Sequence, residues 1–244
     1  PIYVKKSSLS YSDTGHAAYV TSTASRTGML YAAANDGMLH AFNADTGNEV
    51  WAFVPSFVMP NMYKLADASY RDNHTYFVAG TPIVGDVYTG STWKTILVGG
   101  LNSGGRGYYA LDVTDPANPV ALWEFTHANM GLTYGNPIIT KRADGTWVVV
   151  VTSGLNNTSG DGGGHLYMLN ALDGTLLQTL STGVGSTGTP SGLMKINAWI
   201  DSAANNTAKR FYAGDMLGNL WRFDTDDLIL PTGNEAVQLA SFQH

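Results

Sequence analysis

The sequence predicts an all-β protein, a β-propeller of about four blades. Two observations carry that prediction. A unit of short strands and tight turns recurs at intervals of roughly 50 residues, a blade-sized period. And no long segment has the 3.6-residue apolar periodicity of an amphipathic helix.

The first copy is the clearest. From Met29, MLYAAANDGMLHAFNA reads as two strands around Asn35-Asp36-Gly37, a turn that needs positive φ at its glycine. A second turn, Ala44-Asp45-Thr46-Gly47, leads into EVWAFV. Downstream, Gly-x-Pro stands at 80–82, 135–137 and 188–190 and opens the apolar stretches PIVGDV, PIIT and PSGLMKINA. Proline suits the first residue of a strand, where its missing N–H does least harm. Second strands follow as TILVGG, WVVVVTSG and RFYAGD, then third strands as RGYYALDV, GHLYMLNA and GNLWRFDT. Across the four copies the third strand ends in Phe42-Asn43, Leu111-Asp112, Leu169-Asn170 and Phe223-Asp224. An Asx side chain there can bond the backbone of the next turn. EVWAFV, ALWEFT and TLLQTL read as fourth strands, with Trp51 and Trp123 expected to fill the wedge between twisted sheets.

These copies divide the chain into one propeller segment, 1–244, with units near 1–56, 75–127, 132–183 and 184–244 and an insertion at 57–74. The best helical candidate, residues 61–69, starts inside that insertion. A closed ring takes about four to eight blades, and an open array leaves sheet edges unpaired. The expectation is therefore a segment of a larger propeller.

Composition narrows the function. The net charge is −6, with no basic run, which argues against a nucleic-acid surface. No stretch of about eighteen apolar residues offers a membrane span. The opening Pro1-Ile2-Tyr3-Val4-Lys5-Lys6 lacks the apolar core of a signal peptide, so the leader of an exported precursor would lie upstream. The absence of cysteine excludes disulfides, zinc–thiolate sites and a cysteine nucleophile.

Three strings carry a family resemblance: NDGMLHAFNADTGNE from Asn35, LVGGLNSGGRGYYALDVTDP from Leu97 and YAGDMLGNLWRFD from Tyr212. Each resembles a signature segment of the PilC/PilY family, tip-associated adhesins and assembly factors of bacterial type IV pili. The resemblance spans residues 26–224. More broadly, residues 41–51 resemble the Ala-x-Asp-x-x-Thr-Gly-x-x-x-Trp turn of quinoprotein-like propellers, with Asn43 in place of the aspartate. The family resemblance implies a C-terminal modified propeller of more than four blades, preceded by a variable adhesive region. It also implies a non-enzymatic role in pilus biogenesis, pilus extension, twitching motility and surface attachment. The implied partners are minor pilins and a host or abiotic surface. The implied location is exported: the cell surface, the pilus tip, or the outer membrane and periplasm.

The family often carries an EF-hand-like calcium loop before the YAGD strand, and residues 201–209 occupy that place here. Asp201 holds its first position and Asn205 its fifth, and Thr207 offers a carbonyl at the seventh. Ala203 removes one ligand, and Lys209 puts a cation where the last carboxylate belongs. Calcium requires several oxygen ligands with enough carboxylate charge to repay its dehydration. The reading is no cofactor and a degenerate calcium loop, in which Lys209 pairs with Asp201. A second polar loop, NNTSGDGGG from Asn156, has Asp161 as its sole carboxylate and reads as a flexible surface turn. Arg106-Gly107 is followed by Tyr108, so no integrin-type Arg-Gly-Asp is formed.

The enzyme rival is a quinone-dependent dehydrogenase, which needs a complete ring, bound calcium and a catalytic aspartate. Many such enzymes also carry a vicinal disulfide, which this chain cannot form. The histidines, at 16, 40, 74, 127, 165 and 244, show no metal-ligand spacing. His40 and His165 read as structural residues at equivalent places in third strands. Asp86, Asp112 and Asp215 read as turn-stabilising. Two non-enzymatic classes remain: an assembly partner of minor pilins and, as the alternative, a carbohydrate or host-surface binding module. Both direct attention to the insertion, where Tyr63, Tyr70, His74 and Tyr76 are candidate partner-surface residues.

Overall fold

Sixteen strands form four antiparallel sheets of four strands each in the computed structural model, which describes residues 1–225 and 235–242. Blade 1 holds β1 (Ile2–Val4), β2 (Met29–Ala33), β3 (Leu39–Asn43) and β4 (Glu49–Phe53). Blade 2 holds β5 (Ile83–Tyr88), β6 (Trp93–Gly100), β7 (Tyr108–Asp112) and β8 (Val120–Phe125). Blade 3 holds β9 (Ile138–Lys141), β10 (Trp147–Thr152), β11 (Gly163–Asn170) and β12 (Leu176–Gly185). Blade 4 holds β13 (Ile196–Ile200), β14 (Ala208–Gly214), β15 (Asn219–Asp224) and β16 (Ala236–Ser241). Each sheet is a meander in chain order, and the first strands of neighbouring blades lie beside one another. This is the propeller the repeats predict.

The cores lie between blades. Met29, Tyr31, Leu97 and Tyr109 pack between blades 1 and 2; Ile96, Tyr108, Val149 and Tyr167 between blades 2 and 3; Val148, Met168, Phe211 and Trp221 between blades 3 and 4. Alternation along each strand puts one apolar set on each face of the inner sheets, which explains the unbroken hydrophobic runs of β6 and β10. On the outer face of blade 1, Tyr3 pairs with Leu30 and both are exposed.

The two tryptophans work as the repeats imply. Trp51 Nε1 donates to Pro116 O at 2.8 Å, and Trp123 Nε1 donates to Ala171 O at 3.0 Å. In each case the fourth strand of one blade reaches the turn between the third and fourth strands of the next. The Asx residues also act as read: Asn43, Asp112 and Asn170 each accept a backbone N–H from the following turn.

Several readings change. His40 and His165 are not equivalent. His40 lies across from Ala32, the ladder place that Tyr109, Tyr167 and Trp221 fill in the other blades, while His165 is two residues nearer its turn. Their likeness is local, because each follows an aspartate by four residues. His40 Nε2 meets Asp36 at 2.8 Å, and His165 Nε2 meets Asp161 at 2.9 Å. The third Gly-x-Pro does not open a strand. Pro82 and Pro137 directly precede β5 and β9, but Pro190 falls well short of β13, after a tight bridge between Ser186 and Thr189. The helical candidate at 61–69 is a 3₁₀ segment, Met59–Ala66.

The larger surprise is the connection from β1 to β2. Residues 5–28 form a strap that contains a short helix, α1 (His16–Ser22), where no helix is expected from periodicity. The strap crosses the ends of blades 2, 3 and 4. Trp93 Nε1 donates to Thr14 O at 2.9 Å, Lys141 pairs with Asp13 at 2.6 Å, and Ser12 N donates to Ala204 O at 2.7 Å. Asp86 is its anchor rather than a turn residue. Only 2% exposed, it accepts from Ser7 Oγ, from His16 Nε2 at 3.0 Å and from Thr95 Oγ1 at 3.0 Å.

Candidate functional site

Antiparallel meanders sort the loops between two faces. The turns joining first to second and third to fourth strands lie on the face crossed by the strap. The turns joining second to third strands lie on the opposite face, with the connections that carry the chain to the next blade. All three strings that carry the family resemblance include such second-to-third turns, at 34–38, 101–107 and 215–218.

At each of these turns a connection crosses at close range, and small residues make room. A Cβ at Gly37, whose φ is +95°, would approach the Met62 Cε to 3.0 Å, and Asn35 Oδ1 accepts from Phe77 N at 3.4 Å. A Cβ at Gly104 would fall 1.6 Å from Phe77 O, and one at Gly107 would fall 2.5 Å from the Phe57 ring. At the fourth blade, Met216 N donates to Ser191 O at 2.7 Å, and a Cβ at Gly192 would meet Met216 Sδ at 2.8 Å. The first two turns seat the insertion. Phe57, Met62 and Phe77 are its feet, and they pack on the core between blades 1 and 2.

Held this way, the insertion presents its aromatic residues on the crossing face. Tyr63 is 70% exposed and Tyr76 is 51% exposed. Tyr70 is half-buried and packs on the core, and its hydroxyl donates to Thr75 O at 3.0 Å. His74 bridges the series: its ring centroid lies 5.4 Å from that of Tyr70 and 5.0 Å from that of Tyr76. Tyr63 and Tyr70 share a cavity of about 280 Å³ with Lys64, Asp67, Ser69, Asn73 and Thr75. The four residues singled out by sequence therefore fall in one region.

Residues 201–209 bring a single carboxylate, Asp201, where calcium needs several oxygen ligands. Asp201 Oδ1 accepts from Trp199 Nε1 at 2.8 Å, and Asn205 Oδ1 accepts from Thr207 Oγ1 at 2.6 Å. One side-chain oxygen each of Asp201 and Asn205 is engaged within the chain, Ala203 brings none, and Lys209 brings a cation. Asp201 meets Trp199, and among the described residues no ion pair joins it to Lys209. The loop is held by its neighbours instead. Asn206, at φ +53°, donates to Tyr11 Oη at 3.0 Å, and its carbonyl accepts from Lys141 N at 2.9 Å and Thr140 Oγ1 at 2.8 Å.

The loop after Asn156 is also tied down rather than loose. Asn157 is wholly buried and donates to Gly163 O at 2.7 Å. Asp161 accepts from Asn129 Nδ2 at 2.8 Å and from Gly163 N at 2.9 Å. Burial raises the Asp161 pKa, but its bonds to His165 and Gly163 outweigh that and hold it below the usual carboxylate value.

Sequence reasoning missed the strap with its buried Ser7 and His16, and it read Asp86, which anchors them from β5, as a turn residue. Their order is not that of a hydrolase triad. The carboxylate of Asp86 lies between Ser7 and His16 and accepts from both, while His16 Nδ1 accepts from Tyr11 N at 3.1 Å. The serine thus meets the carboxylate and not the imidazole, the reverse of a Ser-His-Asp relay. Among the described residues, no group of three His, Cys, Asp or Glu could hold a metal ion, and no helix is long and apolar enough to cross a membrane.

Comparison with known proteins agrees with the three strings. The PilY1 beta-propeller domain family matches residues 6–235. The chain is 41% identical over 216 residues to a type IV pilus biogenesis factor PilY1 homolog of Xylella fastidiosa, covering 87% of this chain and 17% of that protein. It is 39% identical over 199 residues to the type IV pilus biogenesis factor PilY1 of Pseudomonas aeruginosa, covering 80% and 17%. The crystal structure of the P. aeruginosa PilY1 C-terminal domain superposes with a TM-score of 0.75 at 32% identity, covering 92% of this chain and 45% of that one. The chain thus spans less than a fifth of the length of these curated relatives.

Proposed function

The chain belongs to the PilY1 β-propeller family, and from that premise we propose that it is the non-enzymatic propeller segment of a type IV pilus biogenesis factor. It acts outside the cytoplasm at the pilus or cell surface. Its crossing face binds minor pilins and so favours pilus extension and surface attachment. One observation carries the placement. Two of the turns that hold the family strings also seat the insertion, so the exposed Tyr63 and Tyr76 are displayed from a fixed base. Exposed aromatic residues on a fixed base suit a partner contact, because they bring large area at small ordering cost.

The test is a strain whose full-length protein carries Tyr63→Ala with Tyr76→Ala. Both side chains are exposed, so the propeller folds normally. Fewer surface pili by electron microscopy, with weaker attachment, is the expected result. Unchanged piliation and attachment, or an unchanged phenotype after deletion of residues 64–73, would overturn it. The second reading, a carbohydrate-binding module, is favoured by the cavity between Tyr63 and Tyr70.

A further inference from the structure

We propose that the cavity between Tyr63 and Tyr70 binds a neutral hexose ring of a glycan. The proposal deepens the reading of the insertion as a partner surface and rests on it.

A pyranose offers an apolar C–H face and a rim of hydroxyl groups, each both donor and acceptor. Its receptor needs an aromatic face and polar atoms of both kinds. The cavity has both. Tyr63 stands mostly free at its edge, and Tyr70 is fixed from below by the core and from its hydroxyl by Thr75 O. Among the described residues, no hydrogen bond within the chain uses Tyr63 Oη, Lys64 Nζ, Asp67 Oδ2, Asn73 Oδ1 or Thr75 Oγ1. That leaves acceptors on Asp67 and Asn73, a donor on Lys64, and hydroxyls on Tyr63 and Thr75. Ser69 supplies both an N–H and an O–H to Asp67 Oδ1, at 2.8 Å each, which orients the carboxylate and leaves its other oxygen for a ligand.

Three features select the ligand class. No aliphatic side chain lines the cavity, so an apolar peptide anchor would find only ring faces. Lys64 and Asp67 cancel in charge, which favours a neutral sugar over a sialylated or sulfated one. At about 280 Å³ the space lies at the lower end of small-ligand pockets, the scale of a single ring of a longer chain. The site is also preorganised, because Phe57, Met62 and Phe77 anchor the insertion on both sides of it.

The experiment uses the purified chain on an array of glycans ending in neutral hexoses, sialic acid or sulfated sugars. Saturation-transfer NMR with the methyl glycoside of the best neutral hexose then gives affinities. Binding to neutral hexose termini is expected. Tyr63→Ala should weaken it about tenfold, and Tyr63→Phe, which keeps the ring, by less than about threefold. Asp67→Asn should weaken it by about tenfold. No neutral glycan bound above background, binding only to acidic glycans, or full affinity in Tyr63→Ala would overturn the proposal. The two readings fail separately. Absent hexose binding, with pili lost in the Tyr63→Ala, Tyr76→Ala strain, refutes the sugar and leaves the partner surface standing. Hexose binding by the purified chain, with normal piliation and attachment in that strain, supports the sugar and refutes the pilus role of the surface.

Discussion

Replacing Gly104 by alanine should unfold the crossing face at a cost far above that of the same change at Gly188. Neither glycine has positive φ, so backbone strain does not separate them. Space does. An alanine Cβ at 104 would lie 1.6 Å from Phe77 O, 2.3 Å from Phe77 C and 2.7 Å from Phe77 Cα. All three are backbone atoms, so no rotamer change relieves the clash. The turn at 101–107 and the connection at Phe77 must separate by about 1.5–2 Å in a region packed as densely as an organic crystal. Overpacking that side chains can absorb costs about 1–3 kcal/mol. Backbone displacement here also pulls on Phe77, which is 1% exposed, and on the Gly104 N–H bond to Leu101 O at 2.9 Å. We expect about 4 kcal/mol, beyond the usual range for single substitutions. For a chain of this size that lowers the melting midpoint by about 8–16 °C. A Cβ at Gly188 meets nothing within 4 Å. Gly188→Ala should leave stability unchanged or raise it by up to about 1 kcal/mol through the unfolded chain. The assay is thermal and urea denaturation of both variants, with limited proteolysis across residues 57–76. Midpoints within about 2 °C of each other would refute the argument that these glycines exist to let connections cross.

Other predictions concern the strap, blade 1 and the degenerate loop. Asp86→Ala should destabilise the chain by about 3 kcal/mol or more, because Ser7, His16 and Thr95 lose their acceptor in a buried site. Protease cleavage within residues 5–28 should rise with it. His40 gives a pH dependence. Burial lowers its pKa, but its bonds to Glu49 and Asp36 outweigh that and raise it above 6.5. The stabilisation is therefore complete below about pH 6.5 and is lost as pH climbs through the raised folded value. Hydrogen exchange in β2–β4 should be slower at pH 6 than at pH 8 after correction for intrinsic rates, and His40→Gln should remove the difference. Tyr11→Phe deletes one of two acceptors of Asn206 Nδ2, the other being Ile139 O at 3.3 Å, and should cost about 1 kcal/mol in urea denaturation. Isothermal titration should find no tight calcium binding that Asp201→Ala abolishes.

The blades were legible because their signals are local and repeated. Alternation, turn glycines, the Asx ends of third strands and the two tryptophans each act within a few residues or across one blade boundary. The strap was not legible, because little in its own sequence orders it. The α1 segment HAAYVTS has seven residues and begins after Gly15 without a side-chain cap, so no start signal marks it. Its order comes from Asp86, Lys141 and Ala204, which lie far away in sequence. The third Gly-x-Pro misled for the opposite reason: the tripeptide is local, but the place where a strand starts is set by pairing, and Pro190 lies outside the ladder. The candidate surface was half legible. The spacing of Tyr63, Tyr70, His74 and Tyr76 marked an aromatic insertion, while the cavity depends on the fold of residues 67–75, which no periodicity reports.

The strings that identify the family and the surface proposed to bind partners place different demands on sequence. At Gly104 and Gly107 the identity of the residue is set by neighbours at 1.6 and 2.5 Å, where almost any side chain would push a backbone segment or a packed ring away, and at Gly37 it is set by a φ of +95°. Such positions tolerate little change in any propeller that routes its chain this way, whatever it binds. Tyr63 is 70% exposed, and among the described residues no hydrogen bond uses its hydroxyl. Lys64 and Asp67 spend no side-chain bond that the fold needs, apart from the local one between Asp67 and Ser69. The scaffold can therefore be recognised from its crossing turns while the insertion they hold is free to vary with the partner. That separation makes the insertion the place to look for specificity. It also predicts that exchanging residues 63–76 between relatives, with Phe57, Met62, Phe77 and the crossing glycines retained, transfers ligand preference without loss of stability.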